Sequence, residues 1–233
     1  SPSKPLPEKS YGAWTATYRW KKLYDHEFLY GAPLFMHQLS HVLIDFRGIQ
    51  DAFMRRQAID YFENSRRATY VNQQYAIRNP KGFRDYGPHA WGITASNGPG
   101  PTTRRIRGVT RRFLGYIARG VPYGPDDGTL APWAVAASLP FAPEIVLPTL
   151  AHCSKAYPNM ENEYGLVCSF NPTFPSRGSG YSGWISKDHF ALDQGPVILM
   201  IENYRSGLIW RLMRDCPYIV TGLRRAGFRN GWL

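Results

Sequence analysis

The stretch of this sequence that decides its fold is an apolar segment near the end of the chain, Leu192-Asp193-Gln194-Gly195-Pro196-Val197-Ile198-Leu199-Met200-Ile201-Glu202-Asn203-Tyr204-Arg205. From Gly195 to Met213, apolar residues recur three to four positions apart, which predicts a helix with almost no polar face. Asp193 stands just before this helix as a candidate N-cap. Pro196 falls in the first turn, where a missing N–H costs little. The pattern therefore predicts one long, largely buried helix over 195–213.

Two acidic residues, Asp193 and Glu202, accompany this helix, and each needs a partner where it is buried. Burying a charged carboxylate without a partner in an apolar interior costs several kcal/mol of free energy or shifts the pKa of the group. In one interpretation, Glu202 pairs with Arg205 and Asp193 only caps the helix. In the other, the N-terminal end of the helix lines a polar cavity. The residues of this stretch leave both interpretations open.

The composition is that of a globular domain. The chain has 233 residues, of which 43% are hydrophobic and 15% aromatic, enough for one domain spanning 1–233. Residues 1–30 are rich in Pro, Trp and Tyr without a sustained period, so we expect an irregular lead-in segment there. No run of about 18 apolar residues is present to span a membrane, and no signal-peptide pattern opens the chain. Its first residue, Ser1, is expected at a processing or fragment boundary.

The chain is strongly basic. Its formal net charge is +11, and six arginines crowd into residues 104–119. Such a balance is typical of proteins that meet nucleic acid, an anionic membrane surface or an acidic polymer. No nucleic-acid-binding motif accompanies the charge, so we expect no nucleic-acid partner. The three cysteines, Cys153, Cys168 and Cys216, lack metal-ligand spacing and allow at most one disulfide.

A helix is predicted over 33–44, with a proline in its first turn. His37, Gln38 and His41 share one face of this helix. Two histidines four residues apart could bind a metal, but no third ligand follows in a zinc pattern. We therefore expect ordinary hydrogen-bonding histidines, with no metal and no other cofactor.

Beyond this helix, Asp45 and Arg47 are oppositely charged neighbours of the kind that usually forms a structural ion pair. A further helix is predicted over 50–77, ended by Asn79-Pro80. Residues 86–98 then combine small residues with aromatic and hydroxyl groups. Loops of this type, carried on rigid helices, often hold binding residues.

The rest of the chain alternates loops with short helices. Residues 98–130 are rich in glycine and proline, which predicts a long loop. A loop of this length is either functional or indicates that parts of the protein that would pack against it are missing. No alternating strand pattern stands out, residues 166–170 being the one candidate strand, and 170–183 are a second loop. With helices predicted over 132–139, 143–157 and 218–226, the pattern gives about six helices and an all-α fold.

Six groups of residues form motifs that extend over nearly the whole chain. They are Gly31-Ala32-Pro33-Leu34-Phe35-Met36-His37-Gln38-Leu39-Ser40-His41, Ile44-Asp45-Phe46-Arg47-Gly48, Asn64-Ser65-Arg66-Arg67-Ala68-Thr69, Tyr86-Gly87-Pro88-His89-Ala90-Trp91-Gly92-Ile93-Thr94-Ala95, Asp127-Gly128-Thr129, and Asp193-Gln194-Gly195-Pro196 through Glu202-Asn203-Tyr204-Arg205-Ser206-Gly207-Leu208. Together these motifs resemble the bacterial glucoamylase-like domain. That family is similar to the endo-β-1,2-glucanases and to the cyclising hydrolase domain of cyclic β-1,2-glucan synthases.

The resemblance implies an (α/α)6 toroid of which this chain holds only the C-terminal half. The opening stretch Ser1-Pro2-Ser3-Lys4-Pro5-Leu6-Pro7 resembles a motif that lies midway along the toroid in the family. A complete toroid needs roughly 350 to 450 residues. The glutamates implicated in catalysis would then lie in an upstream half of the same protein, which we expect as a partner of this chain. The sequence departs from the family at Cys168, near which glucanases of the family often carry an acidic residue.

Glycoside cleavage needs a carboxylic acid and a second carboxylate, about 5 to 5.5 Å apart for retention or about 6.5 to 9.5 Å apart for inversion. On one helix, Asp193 and Glu202 would be separated by about 13 Å of helix rise, too far to serve as one pair. We therefore predict that Asp193 lies at the cavity as the catalytic candidate and that Glu202 has a mainly structural role.

Sugar recognition fits the remaining polar and aromatic residues better than recognition of a nucleotide or a metal. Trp91 and Tyr86 could stack on pyranose rings while polar side chains bind vicinal hydroxyls. For Trp91, plain burial in the core is the open alternative. The predicted substrate-binding residues are His37, Gln38, His41, Asp45, Arg47, Tyr86, Trp91, Thr94 and Tyr204.

Two functions from different classes remain. In the first, the chain belongs to a glycoside hydrolase or transglycosylase that acts on β-1,2-linked glucan, an oligo- or polysaccharide substrate. In the second, it is a non-catalytic glucan-binding or scaffold remnant of such an enzyme, which Cys168 and the missing upstream half favour. The resemblance also implies a place in the bacterial envelope, in the periplasm.

Overall fold

The structure is a computed structural model, and it describes residues 6–7, 9–157, 159–175 and 183–233. Of the opening motif over 1–7 only Leu6 and Pro7 are described, and the predicted loop over 170–183 lies partly outside the described residues. The α-helices of the described residues are α1 (Lys9–Thr15), α2 (Ala52–Gln57), α3 (Tyr61–Arg78), α4 (Pro132–Ala137), α5 (Pro143–Ala156), α6 (Ala191–Arg205), α7 (Leu208–Arg214) and α8 (Pro217–Arg225).

Short strands connect these helices. In the described part of the chain they form five antiparallel two-stranded sheets. The pairs are β1 (Trp20–Leu23) with β2 (His26–Leu29), β3 (Ala95–Ser96) with β6 (Ile117–Ala118), β4 (Thr102–Ile106) with β5 (Val109–Phe113), β7 (Glu161–Asn162) with β8 (Gly165–Leu166), and β9 (Phe170–Asn171) with β10 (Trp184–Ile185). The predicted helix-rich class is confirmed, and the short two-stranded ladders of the described residues are an addition that the sequence pattern did not predict. Most of these ladders are too short to show an alternating pattern in the sequence.

The core centres on α4, all six residues of which are buried. This helix packs against both α5 and α6. Its alanines allow close approach, while Trp133 fills the space between elements. The helices predicted over 132–139, 143–157 and 218–226 are confirmed to within two residues as α4, α5 and α8. Each of them opens with a proline in its first turn, which is a reliable start signal.

The long helix predicted over 195–213 is instead two helices, α6 and α7. Phe190, in extended conformation, is the N-cap of α6, so Asp193 lies within the first turn and Pro196 lies inside the helix. After Ser206, Gly207 adopts a left-handed conformation with φ 67°. A left-handed residue cannot continue an α-helix, so the chain turns before α7 begins.

The corner between α6 and α7 is fixed by Asn203, a buried residue of α6. Its side-chain amide donates to the carbonyl of Val42 at 3.0 Å, and its side-chain oxygen accepts the backbone N–H of Trp210 at 3.1 Å. The indole N–H of Trp210 donates to the carbonyl of His41 at 2.7 Å. The corner is therefore attached to the segment that carries the predicted histidines.

That segment also differs from the prediction. The helix predicted over 33–44 is two 3-10 turns, Leu34–His37 and Leu39–Val42. The helix predicted over 50–77 is α2 followed by α3, because Ala58 adopts a left-handed conformation with φ 56°. Asp60 then starts α3 as its N-cap, accepting the N–H of Glu63 at 2.7 Å.

The expectation of an irregular lead-in over 1–30 is wrong. This part of the chain contains α1 and the hairpin of β1 and β2. Tyr24 and Asp25 form the turn of the hairpin with φ values of 48° and 69°. Such a turn usually carries glycine or asparagine. The missing turn signal explains why the hairpin escaped the sequence pattern.

The long loop predicted over 98–130 is a folded excursion that contains β4 and β5, and a buried ion pair holds it together. The side chains of Arg119 and Asp127 are 0% and 1% exposed, with two N–O contacts of 2.8 and 2.9 Å. Arg119 also donates to the carbonyls of Ser96, Leu114 and Gly115. With the donors of the guanidinium occupied, the attraction can offset the cost of burying both charges.

Candidate functional site

The N-terminal end of α6 carries a buried carboxyl group, that of Asp193. The residue is only 6% exposed, and its Oδ2 atom has no hydrogen-bond partner in the described part of the chain. Burial raises the pKa of Asp193 to about 6, and the neighbouring Cys168 thiol offsets part of that rise. A carboxyl group tuned in this way changes its protonation state near neutral pH, as acid–base catalysts do.

Cys168, the partner of Asp193, is fixed by a neighbouring loop. The backbone N–H of Asn97 donates to its sulfur at 3.4 Å, and the hydroxyl of Ser169 donates to the carbonyl of Asn97 at 2.7 Å. Burial raises the pKa of Cys168 to about 12. The sulfur therefore keeps its proton at neutral pH, and that proton is available to the Asp193 carboxylate.

A second carboxylate, that of Asp188, lies close to the same loop and is exposed. The side-chain amide of Asn97 donates to this carboxylate. The backbone N–H of Cys168 donates to the carbonyl of Asp188 at 3.3 Å. Asn97 and Cys168 therefore connect the two acidic residues that precede and open α6.

Two exposed aromatic rings accompany this carboxyl cluster. Tyr116, which follows β5, is 62% exposed, and Phe190, the N-cap of α6, is 36% exposed. Their ring centroids lie 6.1 Å apart with an interplanar angle of 76°. Aromatic faces near polar groups suit sugar rings, which have apolar faces and polar edges. The N-terminal end of α6 thus combines a proton-donating group with rings that can hold a sugar.

Glu202, at the other end of the same helix, does not join this cluster. Its carboxylate pairs with Arg205 at 3.5 Å and accepts the hydroxyl of Ser206. The predicted pairing with Arg205 is confirmed. The expected burial of Glu202 is wrong, because α6 ends at Arg205 and leaves the Glu202 side chain 31% exposed.

His37 and His41 lie on the wall of a cavity with a volume of about 650 Å3, which Asp193 does not line. His37 Nε2 lies 3.0 Å from the carbonyl of Gly31 and must donate to it, while His41 Nε2 lies 2.9 Å from the Ser65 hydroxyl. Burial lowers the pKa of His37 to about 4 and that of His41 to about 3, so both rings are neutral at pH 7. The hydrogen-bonding histidines are as predicted. The aromatic lining of this cavity is Tyr11, Trp14, Tyr18, Tyr30, Phe46, Tyr61 and Phe228.

Asp45, Arg47 and Tyr204 line another pocket, with a volume of about 300 Å3. Arg47 donates to the Asp45 carboxylate at 2.8 and 2.7 Å, and Arg214 donates to it as well. Burial acts to raise the pKa of Asp45, but the hydrogen bonds and charge of Arg47, with the charge of Arg214, leave that pKa below its usual value. The structural ion pair is confirmed. The Asp45 carboxylate is thus engaged with two arginines, while Tyr204 is 46% exposed.

The other four predicted binding residues lie in the core. Trp91 is 1% exposed and its indole N–H donates to the Thr149 hydroxyl at 2.9 Å, so the structure favours burial over sugar stacking for this ring. The remaining three are also hydrogen-bonded inside the protein: Gln38 donates to the Ala134 carbonyl at 2.6 Å, Tyr86 donates to Asp126 at 2.7 Å, and Thr94 accepts the N–H of Phe35 at 3.0 Å.

The predicted binding residues are thus distributed over two pockets and the core, apart from Asp193. Four residues are connected to Asp193 through Cys168 or through the start of α6 and are not among the predicted site residues: Asn97, Tyr116, Asp188 and Phe190. A signal for two of them exists in the sequence, since Asp188 and Phe190 directly precede the helix that carries Asp193. Among the described residues, no group of three or more His, Cys, Asp or Glu side chains could hold a metal ion. No described helix is both long and apolar enough to cross a bilayer.

Comparison with known proteins gives a consistent group of relatives. The family model Glycoamylase, described as "Putative glucoamylase", matches residues 1–217. An exo-β-1,2-glucooligosaccharide sophorohydrolase (non-reducing end) from Parabacteroides distasonis is 30% identical over 196 residues, which cover 84% of this chain and 23% of that protein.

Solved structures show the same likeness in three dimensions. A "putative glucoamylase" from Bacteroides uniformis superposes with a TM-score of 0.82 at 33% identity, over 100% of this chain and 52% of that one. The endo-β-1,2-glucanase of Chitinophaga pinensis, solved with sophorotriose and glucose, superposes with a TM-score of 0.79 at 29% identity, over 98% of this chain and 51% of that one. The chain therefore spans about half the length of these solved relatives.

Proposed function

The chain belongs to the Glycoamylase family, and on that premise we propose that it forms part of a glycoside hydrolase or transglycosylase acting on β-1,2-linked glucan. Two relatives support this substrate class, since one is a β-1,2-glucooligosaccharide hydrolase and the other an endo-β-1,2-glucanase. The observation that carries the proposal is the Asp193 carboxyl group, buried at the start of α6 with a pKa raised to about 6 and with an oxygen that has no partner in the described residues.

The proposed role of Asp193 is proton transfer. A carboxyl group with a pKa of about 6 is partly protonated near neutral pH. Such a group can protonate the leaving glycosidic oxygen, or in its ionised form accept a proton from water. The Cys168 thiol moderates the pKa of this carboxyl group, and Tyr116 with Phe190 offers rings for the sugar.

The reaction also needs a second carboxyl group within roughly 10 Å of the first. Glu202 does not meet this need, since about 13 Å of helix rise separates it from Asp193 and it is paired with Arg205. We propose that the second group comes from an upstream half of the same protein. The coverage of about half of each solved relative supports this arrangement.

The same relatives support a finer proposal on architecture and location. The helices α1 to α8 would form one side of an (α/α)6 toroid, with the loops before α6 at the mouth of its substrate-binding bowl. The protein would act in the bacterial envelope, in the periplasm. Protease protection in intact cells, compared with cells whose outer membrane has been opened, tests the location without reference to activity.

The proposed activity is tested by incubating the full-length protein with linear β-1,2-glucan and separating the products by size. We expect shortened or cyclised glucan from the wild type and a loss of at least about 100-fold in kcat for Asp193→Asn, because a missing acid–base group typically costs that much. Glu202→Gln is the matched control and should keep its kcat within about twofold, since Glu202 contacts only its own helix end. Full activity of Asp193→Asn would exclude the assigned role.

The alternative is a non-catalytic glucan-binding or scaffold protein. It is favoured by Cys168, which stands near the place where glucanases of the family often carry an acidic residue. Titration of the full-length protein with β-1,2-glucan, followed by calorimetry, separates the two. Binding without any turnover, in wild type and Asp193→Asn alike, would support the scaffold function over the enzyme.

A further inference from the structure

A second surface feature, separate from the Asp193 site, is the hairpin of β4 and β5, residues 102–113, which we name the arginine hairpin. It carries five arginines and no acidic residue. Arg104 and Arg111 are direct cross-strand partners. Like charges placed opposite each other destabilise a strand pair. The hairpin therefore keeps an unfavourable concentration of positive charge, which a negatively charged partner would relieve.

The base of the arginine hairpin is attached firmly to the rest of the protein. Arg111 donates to the carbonyls of Lys81 and Gly82 at 3.1 and 2.8 Å, and its guanidinium lies 4.7 Å from the centroid of the Phe83 ring. Phe113 is fully buried, with its ring 4.9 Å from that of Phe174. The hairpin is thus held in a fixed orientation and is not a loose loop.

The other four arginines are exposed and are free of hydrogen-bond and ion-pair partners in the described part of the chain. Side chains alternate between the two faces of a strand. Thr103 is opposite Arg112, and Arg105 is opposite Thr110, so these four residues share one exposed face. Guanidinium and hydroxyl groups together are good donors to phosphate oxygens. The unpaired arginines are Arg104, Arg105, Arg107 and Arg112.

The end of the hairpin is apolar. Ile106 and Val109 are cross-strand partners beside the turn, in which Arg107 and Gly108 adopt φ values of 48° and 84°. Val109 is 50% exposed. By the same alternation these two side chains lie on the face of Arg104 and Arg111, opposite that of Arg105 and Arg112, so the end of the hairpin has arginines on both faces. An apolar tip with arginines on both sides matches a lipid interface, where the apolar groups enter the headgroup region and the cations bind phosphates. A soluble acidic polymer would use the charges alone.

From this combination we propose that the arginine hairpin docks the protein onto an anionic phospholipid surface. The positive charge supplies attraction to the lipid phosphates, and Ile106 with Val109 supplies the apolar contact. The docking does not depend on the glucan-directed function, since no residue of the hairpin has a proposed role in proton transfer or sugar binding. It would hold an enzyme or a scaffold equally well at a membrane.

Co-sedimentation of the purified protein with vesicles tests the proposal. The vesicles contain either pure phosphatidylcholine or phosphatidylcholine with 30% phosphatidylglycerol, in about 100 mM salt, where charge attraction still acts within about 10 Å. We expect binding to the anionic vesicles only. Arg105→Gln/Arg112→Gln should lower the partition coefficient about 25-fold, at about fivefold for each arginine. Val109→Asn should lower it severalfold without any change in charge.

A charge-matched control separates a specific surface from the general basicity of the protein. Arg56→Gln/Arg229→Gln also removes two positive charges, but from exposed residues outside the hairpin. This variant should change the partition coefficient by less than about twofold. An equal loss in both double variants would overturn the proposal, and so would equal binding to neutral vesicles. Tight binding to heparin together with an unchanged partition of Val109→Asn would assign the hairpin to an acidic polymer instead, which also overturns it.

Discussion

The Cys168 thiol is positioned beside the Asp193 carboxyl group, where its S–H can donate to the carboxylate and partly offsets the larger effect of burial on the pKa of Asp193. Replacing Cys168 with alanine removes this donor, and we expect the pKa of Asp193 to rise above its value of about 6. Carbon-13 NMR titration of the carboxyl groups measures the change directly. Cys168→Ser keeps a donor and is the matched control. An unchanged titration in Cys168→Ala would show that the thiol does not act on Asp193.

The same carboxyl group should make the stability of the protein depend on pH. Its pKa in the folded state, about 6, is above the ordinary value of 3.8, so the folded state holds this proton more tightly. The stabilisation is complete below about pH 4 and is lost as the pH rises through about 6. Asp193→Asn should therefore be more stable than the wild type at pH 7.5, by about 1 to 3 kcal/mol.

Urea unfolding at pH 4 and pH 7.5 tests this second prediction. At pH 4 the Asp193 carboxyl is mostly protonated and resembles an amide. The unfolding free energies of the wild type and Asp193→Asn should therefore differ by less than about 0.5 kcal/mol at that pH. A variant that is less stable than the wild type at pH 7.5 would contradict the assigned burial cost.

The roles of two aromatic residues should separate clearly. Tyr116 is exposed next to Phe190, whereas Trp91 is buried and bonded to Thr149. We expect Tyr116→Ala to raise the KM for β-1,2-glucan severalfold with little loss of stability. Trp91→Phe should leave the KM within about twofold and should cost about 1 to 3 kcal/mol of unfolding free energy, because the Thr149 hydroxyl and the core lose their partner. Steady-state kinetics and urea unfolding of both variants test the two expectations.

The buried ion pair of Arg119 and Asp127 should be essential to the fold of residues 94–130. Removing either partner alone leaves an uncompensated buried charge, so Arg119→Ala and Asp127→Ala should each cost about 3 to 5 kcal/mol. The double variant should cost less than the sum, since no charge is left unpaired. Unfolding free energies of the four proteins form the double-mutant cycle, and strictly additive costs would show that the pair does not interact.

A surface pair provides the comparison for this cycle. Arg66 lies 3.5 Å from Glu63, with both side chains partly exposed, so Arg66→Ala should cost less than about 1 kcal/mol. The pKa of Asp127 gives a further check. Burial acts to raise that pKa, but the hydrogen bonds and charge of Arg119 leave it below the usual value. Its contribution to stability should be present above about pH 4 and lost as the pH falls through its folded pKa.

The two buried histidines should weaken the protein in mild acid. Burial lowers the pKa of His37 to about 4 and that of His41 to about 3, against an ordinary value of 6.5. The unfolded state therefore binds more protons between about pH 3 and 6.5, and stability should fall as the pH is lowered through that range. Thermal unfolding at pH 7.5 and pH 5 measures the loss. His37→Gln should reduce it, whereas replacement of the exposed His152 should not.

Sequence patterns located helices best where a proline starts them, as in α4, α5 and α8. They failed where the backbone turns through residues that are not glycine, as at Ala58. They also failed for the hairpins within residues 98–130. The excursion is held together by the buried contact of Arg119 with Asp127, which local periodicity cannot register.

The candidate site depends on sequence and on tertiary structure in the same way. The prediction of Asp193 as the catalytic candidate rests on an acidic residue at the start of an apolar helix, a relationship between neighbours in sequence. Asn97 and Tyr116 were missed because they reach α6 only through packing of the folded loops. Trp91, chosen as an aromatic residue in a small-residue loop, lies in the core instead.

The amino-acid sequence by itself determined the helix-rich class, the family and the presence of an acidic residue at the start of α6, because these follow from local periodicity and from motifs. Tertiary structure alone decided which polar groups are buried, which are paired and which face a cavity. The reason is physical: burial and hydrogen bonding between distant residues depend on how elements pack, so Cys168 becomes the partner of Asp193 only when β9 and α6 come together.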